Sequence, residues 1–353
     1  MTPRVLLGGG AGTREPYPLT CGHVTLRIGK AGAATVAALA LFAAAGCGGD
    51  SGDGAAEKPP PPANPQDFPK AAGRTLAEIT KELGGDGPVL APSVSQFTPG
   101  ENRFGFGLFD RSRAQIADAP TALYVAPAAG GKASGPVVAR YESLAVQAQF
   151  QSRSVTSDPD AAKSLYVADV DFAKPGRYEV LAVVRLDGRL VAAGNAGGAI
   201  AVAKAGQVPD VGDPAPRVST PTKADAGGDI ESIDTRQPPS TMHEADFADV
   251  VGKRPAILLF ATPALCQSRV CGPVVDIAEQ VKARRGKEAE FIHQEIFEDN
   301  EIDKGFRPQV LKWKLPTEPW LFAVDGRGRV AARLEGAFSA EELDRAVDAA
   351  VKG

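Results

Sequence analysis

The pattern of hydrophobic and polar positions divides the chain into regions with different periods. Residues 31–46 are small or apolar and carry no charge, and residues 48–70 are rich in Gly, Asp, Ala and Pro. From about residue 85 to residue 205, apolar and polar positions alternate, which predicts short half-buried β-strands. From residue 241 onward, a continuous apolar run is followed by apolar positions at helical spacing, which predicts a mixed α/β domain.

The alternating region predicts an all-β module over residues 85–205. Three of its segments carry an apolar face: Phe104, Phe106 and Leu108; Tyr166, Ala168, Val170 and Phe172; and Tyr178, Val180, Ala182 and Val184. Asp187-Gly188 predicts a two-residue hairpin turn, and short strands between turn signals are typical of an antiparallel sandwich. The segment F-x-x-P-G-R-Y-E-V resembles the late strands of immunoglobulin-like bacterial surface modules, which implies a tyrosine corner at Tyr178.

The C-terminal region predicts the order β-α-β-α-β-β-α over residues 241–353. Its elements are a buried strand at Ala256–Phe260, a helix with Val274, Ile277, Ala278 and Val281 inward, a strand at Phe291–Phe297, a short helix at Phe306–Trp313, strands at Trp320–Asp325 and Arg329–Leu334, and a last helix. A capping box of Ser339 and Glu342 marks the start of the last helix.

This order resembles the redoxin-type thioredoxin-like domain. The segment K-W-K-L-P-T-E-P resembles the stretch that leads to the cis-proline of that family, here Pro319, and W-L-F-A-V-D-G-R-G-R-V follows as the family's hairpin does. V-G-D-P-A-P resembles the family's lead-in, so residues 206–240 are interpreted as a linker and lead-in. The predicted fold class is an α/β thioredoxin-like C-terminal domain preceded by an all-β immunoglobulin-like sandwich.

The resemblance implies that Cys266 and Cys271 form a redox couple and that Pro319 shapes the substrate groove. Cys271 stands before Gly272-Pro273 at a predicted helix start, where unpaired N–H groups stabilise a thiolate. Residues five apart on one helix have Cα atoms about 8–9 Å apart, whereas a disulfide requires at most about 7 Å. Cys266 therefore either folds back from the loop, or the first helical turn opens on oxidation.

Two other interpretations of the pair stay open. The C-x-x-x-x-C spacing resembles one branch of the peroxiredoxins, although Pro263 stands where that family has threonine. In a second register, V-C-G-P-V matches the thioredoxin W-C-G-P-C, with Val274 in place of the second cysteine, and Cys266 is then an additional thiol.

The surroundings of the predicted redox turn depart from the thioredoxin pattern. The strand before the turn lacks the family's buried acid, and Glu318 precedes Pro319, where an acid facing the cysteines disfavours a thiolate. His293 and Glu295 share a face of the next strand and are candidate proton carriers. A copper site formed by Cys266, Cys271 and His293 is a minor option.

Composition and the N-terminal pattern point to export. The net charge of −4 argues against a nucleic-acid partner, and four cysteines do not make a disulfide scaffold. Arg27 and Lys30 before the apolar run indicate a secretory signal. The run ends in A-A-G-C at Cys47 and resembles a bacterial lipobox, which implies lipidation of Cys47; an ordinary signal or an uncleaved anchor is the alternative.

The sequence thus predicts residues 1–47 as signal peptide and lipobox, and residues 48–84 as a flexible linker with one short helix. The predicted function is extracytoplasmic thiol–disulfide exchange by a protein that is lipid-anchored to the bacterial cell membrane. Exported protein thiols or disulfides are its expected partners, and no metal or other cofactor is expected. The competing hypotheses are a non-catalytic thioredoxin-like binding or scaffold lipoprotein with a structural disulfide and, less favoured, a thiol peroxidase.

Overall fold

The computed structural model describes residues 62–84, 87–266 and 268–353, and these belong to one compact unit. The predicted signal peptide, the lipidation site Cys47 and residues 48–61 of the predicted flexible linker lie outside the described residues. Within the described ranges, no helix combines the length and the apolar character that crossing a bilayer requires.

The N-terminal part consists mainly of strands. Its elements are α1 (Leu76–Leu83), β1 (Val89–Pro92), β2 (Gly100–Phe109), β3 (Thr121–Pro127), β4 (Ser134–Val138), β5 (Arg140–Ser143), α2 (Arg153–Ser157), β6 (Ser164–Phe172), β7 (Gly176–Leu186), β8 (Arg189–Asn195) and β9 (Ile200–Val202). The predicted turn between β7 and β8 is present, and both Asp187 and Gly188 adopt a positive φ, as this type of hairpin requires.

These strands form one nine-stranded sheet within the described residues, in the order β4-β3-β7-β8-β1-β2-β6-β5, with β9 beside β7. The three predicted apolar faces, on β2, β6 and β7, lie in one buried cluster. The hydroxyl of Tyr178 donates to the carbonyl of Lys174 at 2.9 Å, which is the backward bond of a tyrosine corner. The parallel pairing of β1 with β8 joins the strands β4-β3-β7-β8 to the strands β1-β2-β6-β5 in one continuous sheet. An immunoglobulin-like arrangement of two separate sheets is therefore not established.

Residues 62–84, which were predicted to belong to a flexible linker, pack against the sheet. Phe68, Ala71, Leu76 and Ile79 are buried in one cluster with the outer faces of β3 and β7. Thr75 and Glu78 form a capping box at the start of α1. Burial of these side chains fixes this segment against the sheet.

The C-terminal part has the predicted order of elements. After a short helix that was not predicted, α3 (Phe247–Val250), come β10 (Ala256–Phe260), α4 (Cys271–Arg285), β11 (Glu290–Gln294), α5 (Pro308–Trp313), β12 (Trp320–Val324), β13 (Val330–Glu335) and α6 (Ala340–Lys352). The strand order is β11-β10-β12-β13, with β10 parallel to β11 and antiparallel to β12. Every residue of β10 is buried, because α4 and α6 cover one face of the sheet and α3 and α5 cover the other. The predicted capping box of Ser339 and Glu342 starts α6.

The two parts share a hydrophobic core instead of being joined by a free linker. Leu165 and Val167 of β6 lie in the same buried cluster as Val274 and Val275 of α4. Segment 206–240 packs along the C-terminal part and contributes buried side chains such as Arg236. The boundaries predicted at residues 205 and 240 stay predictions, but the segment between them does not separate two independent bodies.

Candidate functional site

The cysteine loop connects the end of β10 to the start of α4. Cys271 is the first residue of α4, and the preceding Val270 offers no side-chain cap to the helix. Cys266 lies in the loop, and the backbone N–H groups of Val270 and Cys271 interact with its sulfur. In this reduced form Cys266 therefore lies outside α4 and close to the helix N-terminus.

The two thiols have different environments. Both cysteines are free, with Cys266 partly exposed and Cys271 fully buried. A hydrogen bond from the Cys271 thiol, together with the Ser268 hydroxyl and the backbone N–H groups, lowers the pKa of Cys266 to about 6. The Ser268 Oγ lies 3.2 Å from the Cys266 Sγ. Burial raises the pKa of Cys271 well above its ordinary value. At neutral pH the outer sulfur is therefore a thiolate and the inner sulfur a thiol.

Pro319 lies at the same end of the sheet as the cysteine loop. Phe260 pairs with Trp320 across β10 and β12, so the residues that follow β10 run beside the residue that precedes β12. The Glu318–Pro319 peptide bond is cis. Burial, and the negative charge of Cys266, raise the pKa of Glu318 to about 7. The charges of the Glu318 carboxyl and the Cys266 sulfur therefore interact, and the carboxyl titrates close to neutral pH.

The N-terminal part covers the cysteine loop from the side. Arg269 adopts a positive φ of 57°, and its guanidinium contacts Asp158 at 3.0 Å and Asp160 at 2.6 Å. The Ala162 N–H donates to the Arg269 carbonyl at 3.4 Å. A Cβ atom on Gly272 would lie 2.9 Å from the Val155 side chain. The segment from Val155 to Ala162 therefore fixes the shape of the loop between the cysteines.

A buried ion pair anchors α4 behind the cysteines. Arg236 Nε donates to Asp276 Oδ1 at 2.8 Å, and the two side chains are 6% and 1% exposed. Arg236 also donates to the carbonyls of Pro238 and Phe150, both at 2.7 Å. Burial raises the pKa of Asp276, although the Ser152 N–H and the Arg236 guanidinium oppose that shift. This pair connects the N-terminal part, the lead-in segment and α4.

His293 does not face the cysteines as a copper ligand. It is fully buried, its Nε2–H donates to the Ala261 carbonyl at 3.0 Å, and its Nδ1 lies 3.3 Å from Asp234 Oδ2. Burial alone would lower the pKa of His293, but the Asp234 carboxylate raises it to about 9. Among the described residues, the side chains grouped closely enough to hold a metal ion are Asp234, His243 and His293, without either cysteine. The proposed copper arrangement is therefore not formed.

The sequence interpretation missed Asp234 and His243 because both lie in or next to the polar segment that was assigned to a linker. One signal was available: the chain has three histidines, and two of them come together here. Glu295, the other candidate proton carrier, accepts the Thr235 N–H at 2.8 Å and the Thr235 hydroxyl at 2.7 Å through Oε1. It therefore holds the lead-in segment beside β11.

Comparisons with known proteins give little beyond this geometry. No family model and no curated protein matches the chain. Among solved structures, the chain is similar to one assigned as a thiol:disulfide interchange protein DsbE from Chlorobium tepidum, with 17% identity and a TM-score of 0.29. That match covers 40% of this chain and 99% of the other. A likeness this distant leaves fold and function to be argued from the strand order and the cysteine geometry.

Proposed function

We propose that the chain is a thioredoxin-like thiol–disulfide oxidoreductase that uses Cys266 and Cys271. The β-α-β-α-β-β-α order and the strand order β11-β10-β12-β13 support this assignment. So does the position of Cys271 at the start of α4, at the same sheet end as Pro319. The observation that carries the proposal is the difference between the two thiols, a partly exposed thiolate beside a buried thiol.

This difference assigns the order of steps. The Cys266 thiolate attacks one sulfur of a substrate disulfide, so a mixed disulfide forms and one substrate thiolate leaves. Cys271 then loses its proton and attacks Cys266, which releases the second substrate thiolate and leaves the pair oxidised. The substrate gains two electrons and the pair loses two; the reverse sequence oxidises a dithiol. We take Glu318, whose pKa is about 7, as the candidate acceptor for the Cys271 proton, since its charge affects the Cys271 thiol.

The reduction potential of the pair tests this function. Equilibration of the full chain with glutathione buffers is expected to give a potential between about −270 and −120 mV, the range of exchange enzymes. Disulfide reduction in a substrate such as insulin is expected to be lost in a Cys266→Ser/Cys271→Ser variant. A potential below about −300 mV, with no reduced fraction on thiol trapping in cells, would instead establish a structural disulfide. Peroxide turnover would favour a peroxidase.

We also propose that the protein acts outside the cytoplasmic membrane and is held there by a lipid on Cys47. The support is the charge-free run 31–46 that ends in A-A-G-C, together with the basic residues before it. Cys47→Ala is expected to move the protein from the membrane fraction to the soluble fraction. Unchanged membrane retention of this variant would refute the lipid anchor and leave the exchange function untouched.

A further inference from the structure

A second group of reactive side chains lies behind the cysteine loop, and the exchange reaction does not use it. Asp234, His243 and His293 are 1%, 3% and 0% exposed. Each offers one ligand atom, and these atoms all lie within 4.8 Å of one another. We propose that these three residues bind a divalent transition-metal ion of the Zn²⁺ class.

The distances between the ligand atoms suit such an ion. Asp234 Oδ2 lies 3.0 Å from His243 Nε2 and 3.3 Å from His293 Nδ1. Ligands about 2.0–2.1 Å from a tetrahedral Zn²⁺ ion are about 3.3 Å apart. An ion bound between these side chains would replace the protons shared between the carboxylate and the two imidazoles. Two imidazoles and one carboxylate are also the ligand types that catalytic and transport zinc sites use.

Outer hydrogen bonds hold two of the ligands in the orientation that metal binding requires. The His293 Nε2–H donates to the Ala261 carbonyl at 3.0 Å, so Nδ1, which faces Asp234, is the ring nitrogen that would bind the ion after losing its proton. Asp234 Oδ1 accepts the Arg236 N–H at 2.8 Å, and Oδ2 accepts the Ser240 N–H at 2.7 Å. The second lone pair of Oδ2 stays available to an ion. Contacts of this kind fix the tautomer and the angle of metal ligands.

Two buried polar atoms next to this group have no hydrogen-bond partner among the described residues. They are His243 Nδ1 and Glu295 Oε2. Glu295 is placed beside Asp234 because the adjacent Thr235 binds its other oxygen at 2.7 Å. Unsatisfied buried atoms indicate an ion or a water that completes the network. The Glu295 carboxyl adds negative charge close to the site, and its free oxygen would be an acceptor for a water on the fourth position of the ion.

Because thiols also bind zinc, the test starts from the full-length Cys266→Ser/Cys271→Ser chain. Equilibrium dialysis and calorimetry with Zn²⁺ are expected to show one ion per chain, and the Co²⁺ form is expected to lack thiolate charge-transfer absorption. His243→Gln and Asp234→Asn in this background are expected to weaken binding by at least about tenfold, the loss seen even for outer partners of metal ligands. Glu244→Gln, an exposed neighbour, is the matched control and is expected to bind like its parent.

A stability measurement covers the case in which a ligand variant fails to fold. Zn²⁺ is expected to raise the unfolding temperature of the cysteine-free parent in a concentration-dependent way, and a chelator is expected to reverse the rise. Absence of stoichiometric binding in this parent would overturn the proposal, as would binding that survives both His243→Gln and Asp234→Asn. Neither result would bear on the exchange function, because the cysteines are absent from the parent.

Discussion

Iodoacetamide is expected to alkylate Cys266 selectively, with a rate that follows a titration centred near pH 6. The Cys271 thiol, the Ser268 hydroxyl and the helix N-terminus lower the pKa of Cys266 to about 6, so the reactive thiolate is already the main form at neutral pH. Cys271 is fully buried and its pKa is raised, so it is expected to stay unmodified in the folded protein. Peptide mapping after alkylation at several pH values measures both rates.

The variant Cys271→Ala measures how much the inner thiol lowers the pKa of Cys266. This variant removes the largest cause of the lowered pKa, so the Cys266 midpoint is expected to rise by more than about one unit towards its ordinary value. Cys271→Ser keeps a hydroxyl donor at the same place and is expected to show a smaller rise. A midpoint that is equal in the wild type and in Cys271→Ala would show that the two sulfurs do not interact.

Arg236→Leu is expected to destabilise the protein by about 3–5 kcal/mol, the size measured when one partner of a buried ion pair is removed. The substitution leaves the Asp276 carboxyl buried without its guanidinium partner, and it also removes the donors to the Pro238 and Phe150 carbonyls. The Ser152 N–H at 2.8 Å is then a remaining donor to Asp276. Urea unfolding, followed by tryptophan fluorescence, gives the change in the free energy of unfolding.

Arg254→Leu provides the control for this measurement. Arg254 pairs with Glu290 at 3.0 Å, but its side chain is 43% exposed, and exposed pairs contribute about 0–1 kcal/mol. The two substitutions remove the same charge and add the same side chain, so burial is the main difference between them. Equal losses for Arg236→Leu and Arg254→Leu would mean that the Arg236 contacts do not stabilise the fold.

Local periodicity was sufficient for much of the architecture. The runs Ala256–Phe260 and Trp320–Val324 are apolar throughout because both faces of each strand are covered. The alternation around Phe104 and Phe106 identified the buried face of β2 in the same way. The capping box at Ser339 could be predicted from the sequence because it depends on two residues that are three positions apart. Each of these signals involves neighbours in sequence.

The contacts that shape the site could not be predicted in this way. Arg236 and Asp276 are far apart in sequence, and nothing local distinguishes them from exposed charged residues. The same holds for Asp158 and Asp160, which contact Arg269 from a different part of the chain. The polar composition of residues 206–240 was interpreted as a linker because polar residues are mostly exposed. Asp234 and Arg236 of this segment are instead buried against charged or titratable partners, and only the folded chain brings these partners together.

The contact between Arg269 and the N-terminal part has an electrochemical consequence. The Asp158, Asp160 and Ala162 contacts hold Arg269, which lies between the two cysteines that oxidation would join. Any free energy that these contacts gain or lose on oxidation enters the reduction potential, at about 30 mV for each 1.4 kcal/mol. Because such coupling is reciprocal, a molecule that binds the N-terminal part and alters its contact with Arg269 would shift the reduction potential of the cysteine pair.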